Sequence, residues 1–154
     1  MITSINFDMD GTIANLFEVP NWLPRLRDYD PTPYLEAKVM VNMSRLARYI
    51  NRARAKGIEV NIISWLSKDS NHHYDLEVIE AKRQWLNKHL PSVEFDHIYI
   101  TPYGYSKSLL VKAKEGINLL IDDDENNRTE WLRSGAGYHI YPCDMFRDLP
   151  KLFD

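Results

Sequence analysis

Apolar positions along this chain follow two alternating rhythms. Met1 to Phe7 reads as a short buried strand. From Leu35 the pattern turns helical: Met43, Leu46, Ala47, Ile50 and Ala53 recur on one face, and Gly57 is placed to stop the helix. "IEVNIIS", ending at Ser64, is rich in β-branched residues and predicts a second strand. A loop through Asn71 leads to a second helix, with Leu76, Ile79, Leu86 and Leu90 on one side and Pro91 at its end. "FDHIYIT" predicts a third strand and "KSLLVKAKEG", opening at Lys107, a short helix closed by glycine. "INLLID" predicts a fourth strand, "ENNRTEWLRSG" a helix and "YHIY" a last strand. Between the first strand and the first long helix, residues 18–34 hold four prolines and cannot form one regular helix.

Strands alternating with helices imply an α/β fold, a parallel sheet with helices on both faces. Right-handed crossovers place the strand C-terminal ends on one edge, where ligands bind in such folds. Asp8, Ser64, Thr101 and Asp122 each stand where a predicted strand ends. Far apart in sequence, they are expected to converge.

Composition narrows the class. The chain has 154 residues, 44% of them hydrophobic, which suits one domain over 1–154 with a single core. The formal net charge of −3 lacks the basic footprint of a general nucleic-acid binder. A single cysteine, Cys143, excludes an internal disulfide framework and fits a reducing compartment. No basic segment followed by an apolar one opens the chain, and no apolar run is long enough to span a bilayer. The expectation is a cytoplasmic domain with no membrane partner.

The chemistry concentrates in "DMDGT" and "DDD". Asp8 and Asp10 repel each other unless a cation intervenes. They suit a hard cation such as Mg²⁺, or a nucleophile beside a general acid/base, or only a polar Asp-Gly turn. Asp122, Asp123 and Asp124 read alone as a solvated charge run, but an apolar strand delivers them to the edge that carries Asp8. Ser64 is suited to a phosphate oxygen, or to a cap. A site of carboxylates with an anionic substrate needs positive charge. Lys107, opening a helix at that edge, supplies it; Lys82, within the long helix, is a second candidate that reads more naturally as a surface lysine. Trp65, directly after Ser64, lines a pocket, stacks on a base or packs in the core, and His72 and His73 read as exposed loop residues.

Together these residues resemble the haloacid dehalogenase (HAD) superfamily of phosphotransferases. Asp8-Met9-Asp10-Gly11-Thr12 matches its first motif, "NIIS" at Ser64 its second, Lys107 its third and Asp122-Asp123 its fourth, in the right order over nearly the whole chain. The resemblance implies a Rossmann-like three-layer sandwich with sheet order 5-4-1-2-3. It makes Asp8 the nucleophile that forms an aspartyl-phosphate and Asp10 the general acid and then base. Mg²⁺ would be held by Asp8, Asp10 through its backbone carbonyl, and Asp123. Ser64, Trp65, Lys107 and the backbone near Gly11 would hold the phosphate.

A smaller stretch, "AKRQWLNKHLPSVEFDHIYIT" followed by a lysine and "LLIDDD", is similar to the cytosolic 5′(3′)-deoxyribonucleotidases. Their full helical cap does not fit between Asp8 and Ser64; residues 16–34 leave room for a small lid. Phe17, Trp22 and Tyr29 there suit stacking on a base, and Arg25 and Arg27 suit a phosphate, unless the aromatics only seal the lid. The expected function is a Mg²⁺-dependent phosphomonoesterase on a small-molecule phosphoester, with nucleotides foremost. The alternatives are a larger phosphoester (a polynucleotide end, a phosphoprotein, a sugar phosphate) or a non-catalytic phosphate-binding domain.

Overall fold

The computed structural model describes residues 1–111 and 115–153. Five parallel strands form the sheet: β1 (Ile2–Phe7), β4 (Glu59–Trp65), β5 (His97–Thr101), β6 (Ile117–Ile121) and β7 (Gly137–Ile140), in the order β5-β4-β1-β6-β7. Counting these five strands along the chain, this is the expected 5-4-1-2-3 order. Side-chain alternation divides the core between the two faces. Ile5 and Phe7 of β1, with Val60 and Ile62 of β4, pack on Leu46, Ala47, Ile50 and Ala53 of α3 (Met43–Ala55). Ile63 and Leu120 pack the other way, on Trp131 of α5 (Glu125–Ser134). Gly57, at φ +82°, follows α3 as its glycine stop. After β7 comes a short helix α6 (Met145–Asp148), whose Met145 joins the α3 side of the core, followed by a tight turn over Leu149–Leu152.

A buried polar line crosses the three central strands. Ser4 Oγ donates to Asn118 Oδ1, Asn6 Nδ2 to Ser4 Oγ, and Asn61 Nδ2 to Asn6 Oδ1. The two links between strands, Ser4–Asn118 and Asn61–Asn6, each require one register, since a slip of one residue would turn these groups to the other face.

Between β1 and α3 the chain makes an excursion. A two-stranded antiparallel ribbon, β2 (Ala14–Asn15) with β3 (Lys38–Val39), closes its base. Inside lie α1 (Trp22–Arg27) and α2 (Thr32–Glu36). Leu16 and Tyr34 of this excursion pack on Tyr74, Val78 and Ala81 of α4 (His72–His89). Arg25 ties it internally, bonding Asp30 (3.0 Å), Thr32 (2.6 Å) and Glu36. Its guanidinium is therefore occupied, against the expectation that it serves a phosphate.

Three other expectations need correction. The buried face of α4 is Tyr74, Val78, Ala81, Lys82, Trp85 and Leu86, while Leu76 is 54% exposed. The excursion supplies a second packing surface, so the face turns toward it. His72 and His73 belong to the first turn of α4, behind the N-cap Asn71, whose side chain accepts from the Tyr74 N–H. The helix expected from Lys107 is a tight turn over Lys107–Leu110, and residues 112–114 of that prediction lie outside the described residues.

Candidate active site

The ends of β1 and β6 bring the first carboxylates together. Asp8 follows β1 directly, its N–H donating to Ile121 O (2.9 Å). Lys107 Nζ donates to Asp8 Oδ1 (2.9 Å) and to Asp122 Oδ2 (2.7 Å). The other Asp8 oxygen, Oδ2, accepts from Thr12 Oγ1 (2.9 Å). Asp8 is thus fixed at both oxygens at the mouth of the sheet. Burial works against the Lys107 ammonium, but Asp8 and Asp122 outweigh it and hold its pKa up at about 12.

Asp10 has a different partner. Lys82, only 1% exposed, donates to Asp10 Oδ2 (2.9 Å), Ser64 Oγ (2.6 Å) and Trp65 O (2.7 Å). Burial raises the Asp10 pKa, Lys82 opposes the rise, and the Asp8 charge adds to it. Lys82, expected on the surface, is instead buried against three acceptors. Ser64 is wholly buried and does not line the cleft; its hydroxyl sits behind Asp10, against Lys82.

The third grouping is acidic. One oxygen from each of Asp8, Asp122 and Asp123 lies within 4.8 Å of the others. Burial and the Asp8 charge raise the pKa of both Asp122 and Asp123. Crowded acids of this kind fit a hard divalent cation such as Mg²⁺, which takes oxygen ligands. Within the cluster the labour divides. Asp122 already accepts from Lys107, Asn127 Nδ2 and the Asp124 N–H, whereas Asp123 is exposed beside Asp8. Asp123 is the most exposed carboxylate of the three. The Asp10 side chain faces Lys82 and stands outside this cluster, which leaves only its backbone carbonyl for the metal role expected of it. Asp124 caps α5, accepting from the N–H groups of Asn126 and Asn127.

Gly11 explains how Asp123 comes so close. Its φ is +81°, and a Cβ there would stand 2.2 Å from Asp123 Oδ2 and 2.8 Å from Phe17 Cε2. Its own N–H donates to Ala14 O (2.8 Å). Gly11 makes room for Asp123.

These groups open into a cleft of about 660 Å³ between the sheet edge and the excursion. Asp8, Asp10, Lys107 and Asp122–Asp124 form its floor, and Phe17, Trp22, Leu23 and Tyr34 one wall. Trp65, Lys68 and Tyr103 also line it, as does Arg27. The Phe17 and Trp22 rings meet edge to face at 5.0 Å, and Trp65 lies 5.1 Å from Tyr103. Trp65 is anchored by Nε1 on Tyr105 O (2.9 Å), and Lys107 Nζ stands 5.5 Å from its ring centre. Thr101 stays off the cleft, its carbonyl accepting from the Leu66 N–H. In the sequence Lys82 stood only as a second candidate for positive charge, Lys68 carried no signal, and Thr12 was legible only as part of the first motif.

No family model matches the chain, and no curated protein is similar enough in sequence to count as a relative. Solved structures do match its fold. A chain of a Pnkp1/Rnl/Hen1 complex superposes with a TM-score of 0.59 at 16% identity, over 91% of this chain and 45% of that one. A HAD-like phosphatase from Mesorhizobium loti superposes with a TM-score of 0.58 at 18% identity, over 87% and 69%. D,D-heptose 1,7-bisphosphate phosphatase from Burkholderia thailandensis gives 0.53 at 14%, over 88% and 74%. The chain therefore spans less than half the length of the first of these. The fold is the Rossmann-type α/β fold of HAD-like phosphatases.

Proposed function

We propose that the chain is a Mg²⁺-dependent phosphomonoesterase working through an aspartyl-phosphate on Asp8. The observation that carries this is the matching of two carboxylates, two residues apart, to two different buried lysines. One carboxylate, Asp8, is held in a set orientation by Lys107 and Thr12; the other, Asp10, is held at Oδ2 by Lys82 and lines the cleft. Asp8 attacks phosphorus, the ester P–O bond breaks, and Asp10 gives its proton to the leaving oxygen. Asp10 then takes a proton from water, which attacks the same phosphorus and releases Asp8. Lys107 offsets the repulsion between the Asp8 carboxylate and the incoming phosphate dianion, and positioning and charge stabilisation supply most of such catalysis. Mg²⁺, held by Asp8 and Asp123, would neutralise further charge on the transferring group. The test is colour release from p-nitrophenyl phosphate with and without Mg²⁺. Release that requires Mg²⁺ supports the reading, and failure to cleave any phosphomonoester in a broad panel sinks it.

For the substrate we infer a nucleoside monophosphate, as in the 5′(3′)-deoxyribonucleotidases. The Phe17–Trp22 pair and the Trp65–Tyr103 pair give the cleft aromatic surface beside its charged residues. Base and sugar binding would then offset the poor leaving group. A deoxynucleoside 5′-monophosphate should show a higher kcat/KM than p-nitrophenyl phosphate. A second reading, a larger phosphoester such as a polynucleotide end, draws on Lys68 and Arg27, which extend positive charge along the lining. Preference for a phosphorylated oligonucleotide over every mononucleotide would favour it.

A further inference from the structure

We propose that Lys82 is a positioning residue for Asp10, and that Ser64 serves to hold Lys82 rather than to hold the phosphate. The inference rests on the phosphatase reading and assigns residues within it.

An ammonium group has three N–H donors and no acceptor. Lys82 spends them on Asp10 Oδ2, Ser64 Oγ and Trp65 O, at 2.9, 2.6 and 2.7 Å. No donor remains for a substrate. The direction of every bond is therefore fixed, because Lys82 only donates. Ser64 Oγ and Trp65 O, both from the end of β4, set the ammonium in place. The third proton then fixes one oxygen of Asp10. With Oδ2 so engaged, Oδ1 is the oxygen left to give a proton to the leaving group and to take one from water. Tyr34 closes the arrangement from the excursion, its ring centre 4.8 Å from Lys82 Nζ and its hydroxyl 2.6 Å from Ser67 Oγ.

Burial separates this arrangement from a binding site. Ser64 and Lys82 are 0% and 1% exposed, and neither lines the cleft, whereas the Asp10 side chain is 21% exposed and does. Of the three, only Asp10 meets a substrate. A purely stabilising role for Lys82 is the weaker account. A buried ion pair is often no more stable than apolar side chains of the same volume. Met has nearly the shape of Lys82 and needs no hydrogen bonds.

The test compares wild type, Lys82→Met, Asp10→Asn, the double variant and Ser64→Ala, with Mg²⁺. Substrates are p-nitrophenyl phosphate and glycerol 2-phosphate, a good and a poor leaving group. The parameter kcat/KM reports the first half-reaction, in which Asp10 acts as acid. Lys82→Met should lose about 10-fold on the good leaving group and about 100-fold or more on the poor one. The double variant should lose little beyond Asp10→Asn alone, because Lys82 acts through Asp10. Ser64→Ala should show a smaller loss of the same leaving-group sensitivity. Thermal unfolding checks that each variant is folded; should Lys82→Met fail, Lys82→Gln takes its place. Equal losses on the two esters, or losses that multiply in the double variant, overturn the proposal. An inactive wild type would instead overturn the phosphatase reading itself, so the two failures are distinct.

Discussion

Asp8 and Asp10 differ in their surroundings more than in their chemistry. Asp8 is gripped by Lys107 and Thr12, while Asp10 is gripped at one oxygen by Lys82. Asp8→Asn should abolish turnover, since an amide is no nucleophile at phosphorus; steady-state assay of the purified variant checks this. Asp10→Asn should cost more on a poor leaving group than on p-nitrophenyl phosphate. Lys107→Ala leaves Asp8 and Asp122 buried without their cation, a loss of about 3–5 kcal/mol for a broken buried pair, measurable by denaturant unfolding without metal. The convergence of Asp8, Asp10, Lys107, Asp122 and Asp123 was legible because each stands next to the end of an apolar run or the start of the following segment. Lys82 was not. It occupies a helical position like that of any surface lysine, and the acceptors that bury it come from 17, 18 and 72 residues away.

At the scale of elements, the turn after β1 and the excursion carry the consequences. Gly11→Ala places a Cβ against Asp123 Oδ2 and on a backbone at positive φ. The strain is on the order of 1 kcal/mol, and displacement of Asp123 should raise the Mg²⁺ concentration needed for half-maximal activity. Unchanged Mg²⁺ dependence would show that Asp123 is not a ligand. Trp22 packs partly on the core and lines the cleft. If nucleotides are substrates, Trp22→Ala should lower kcat/KM for the nucleotide and spare p-nitrophenyl phosphate; equal losses would make it a structural residue. The strands were legible as β-rich apolar runs buried on both faces, and α3 from its periodicity, since it packs on one side. The α4 face was not, because a helix between sheet and excursion is buried along a direction that depends on both. Arg25 looked like a phosphate ligand for the same reason: its partners Asp30, Thr32 and Glu36 meet it only once the prolines have folded the segment.

For the whole molecule, the acidic cluster links stability to metal and pH. Asp122 and Asp123 have raised pKa values in the folded chain, so the folded state binds more protons than the unfolded one. Stability without metal then falls as pH rises from the ordinary carboxylate range toward neutrality. Mg²⁺ should restore it, because a ligand that binds only the folded state stabilises by mass action. Melting curves from acid to neutral pH, with EDTA or with Mg²⁺, should diverge as pH rises, and Asp123→Asn should flatten the EDTA curve and remove the Mg²⁺ effect. Curves that run parallel would mean that the cluster takes no metal. Among the described residues no helix is long and apolar enough to cross a membrane.

The central claim is that phosphate passes through a covalent bond to Asp8. Borohydride reduces an acyl phosphate to an alcohol and leaves a free carboxylate alone, so it turns a phosphorylated aspartate into homoserine. The chain should be quenched with borohydride during turnover of p-nitrophenyl phosphate with Mg²⁺, and the peptide containing "DMDGT" sequenced by mass spectrometry. The account predicts homoserine at position 8, absent without substrate and absent in Asp8→Asn. Homoserine at Asp10 or Asp123 instead, or brisk turnover by Asp8→Asn, would contradict it.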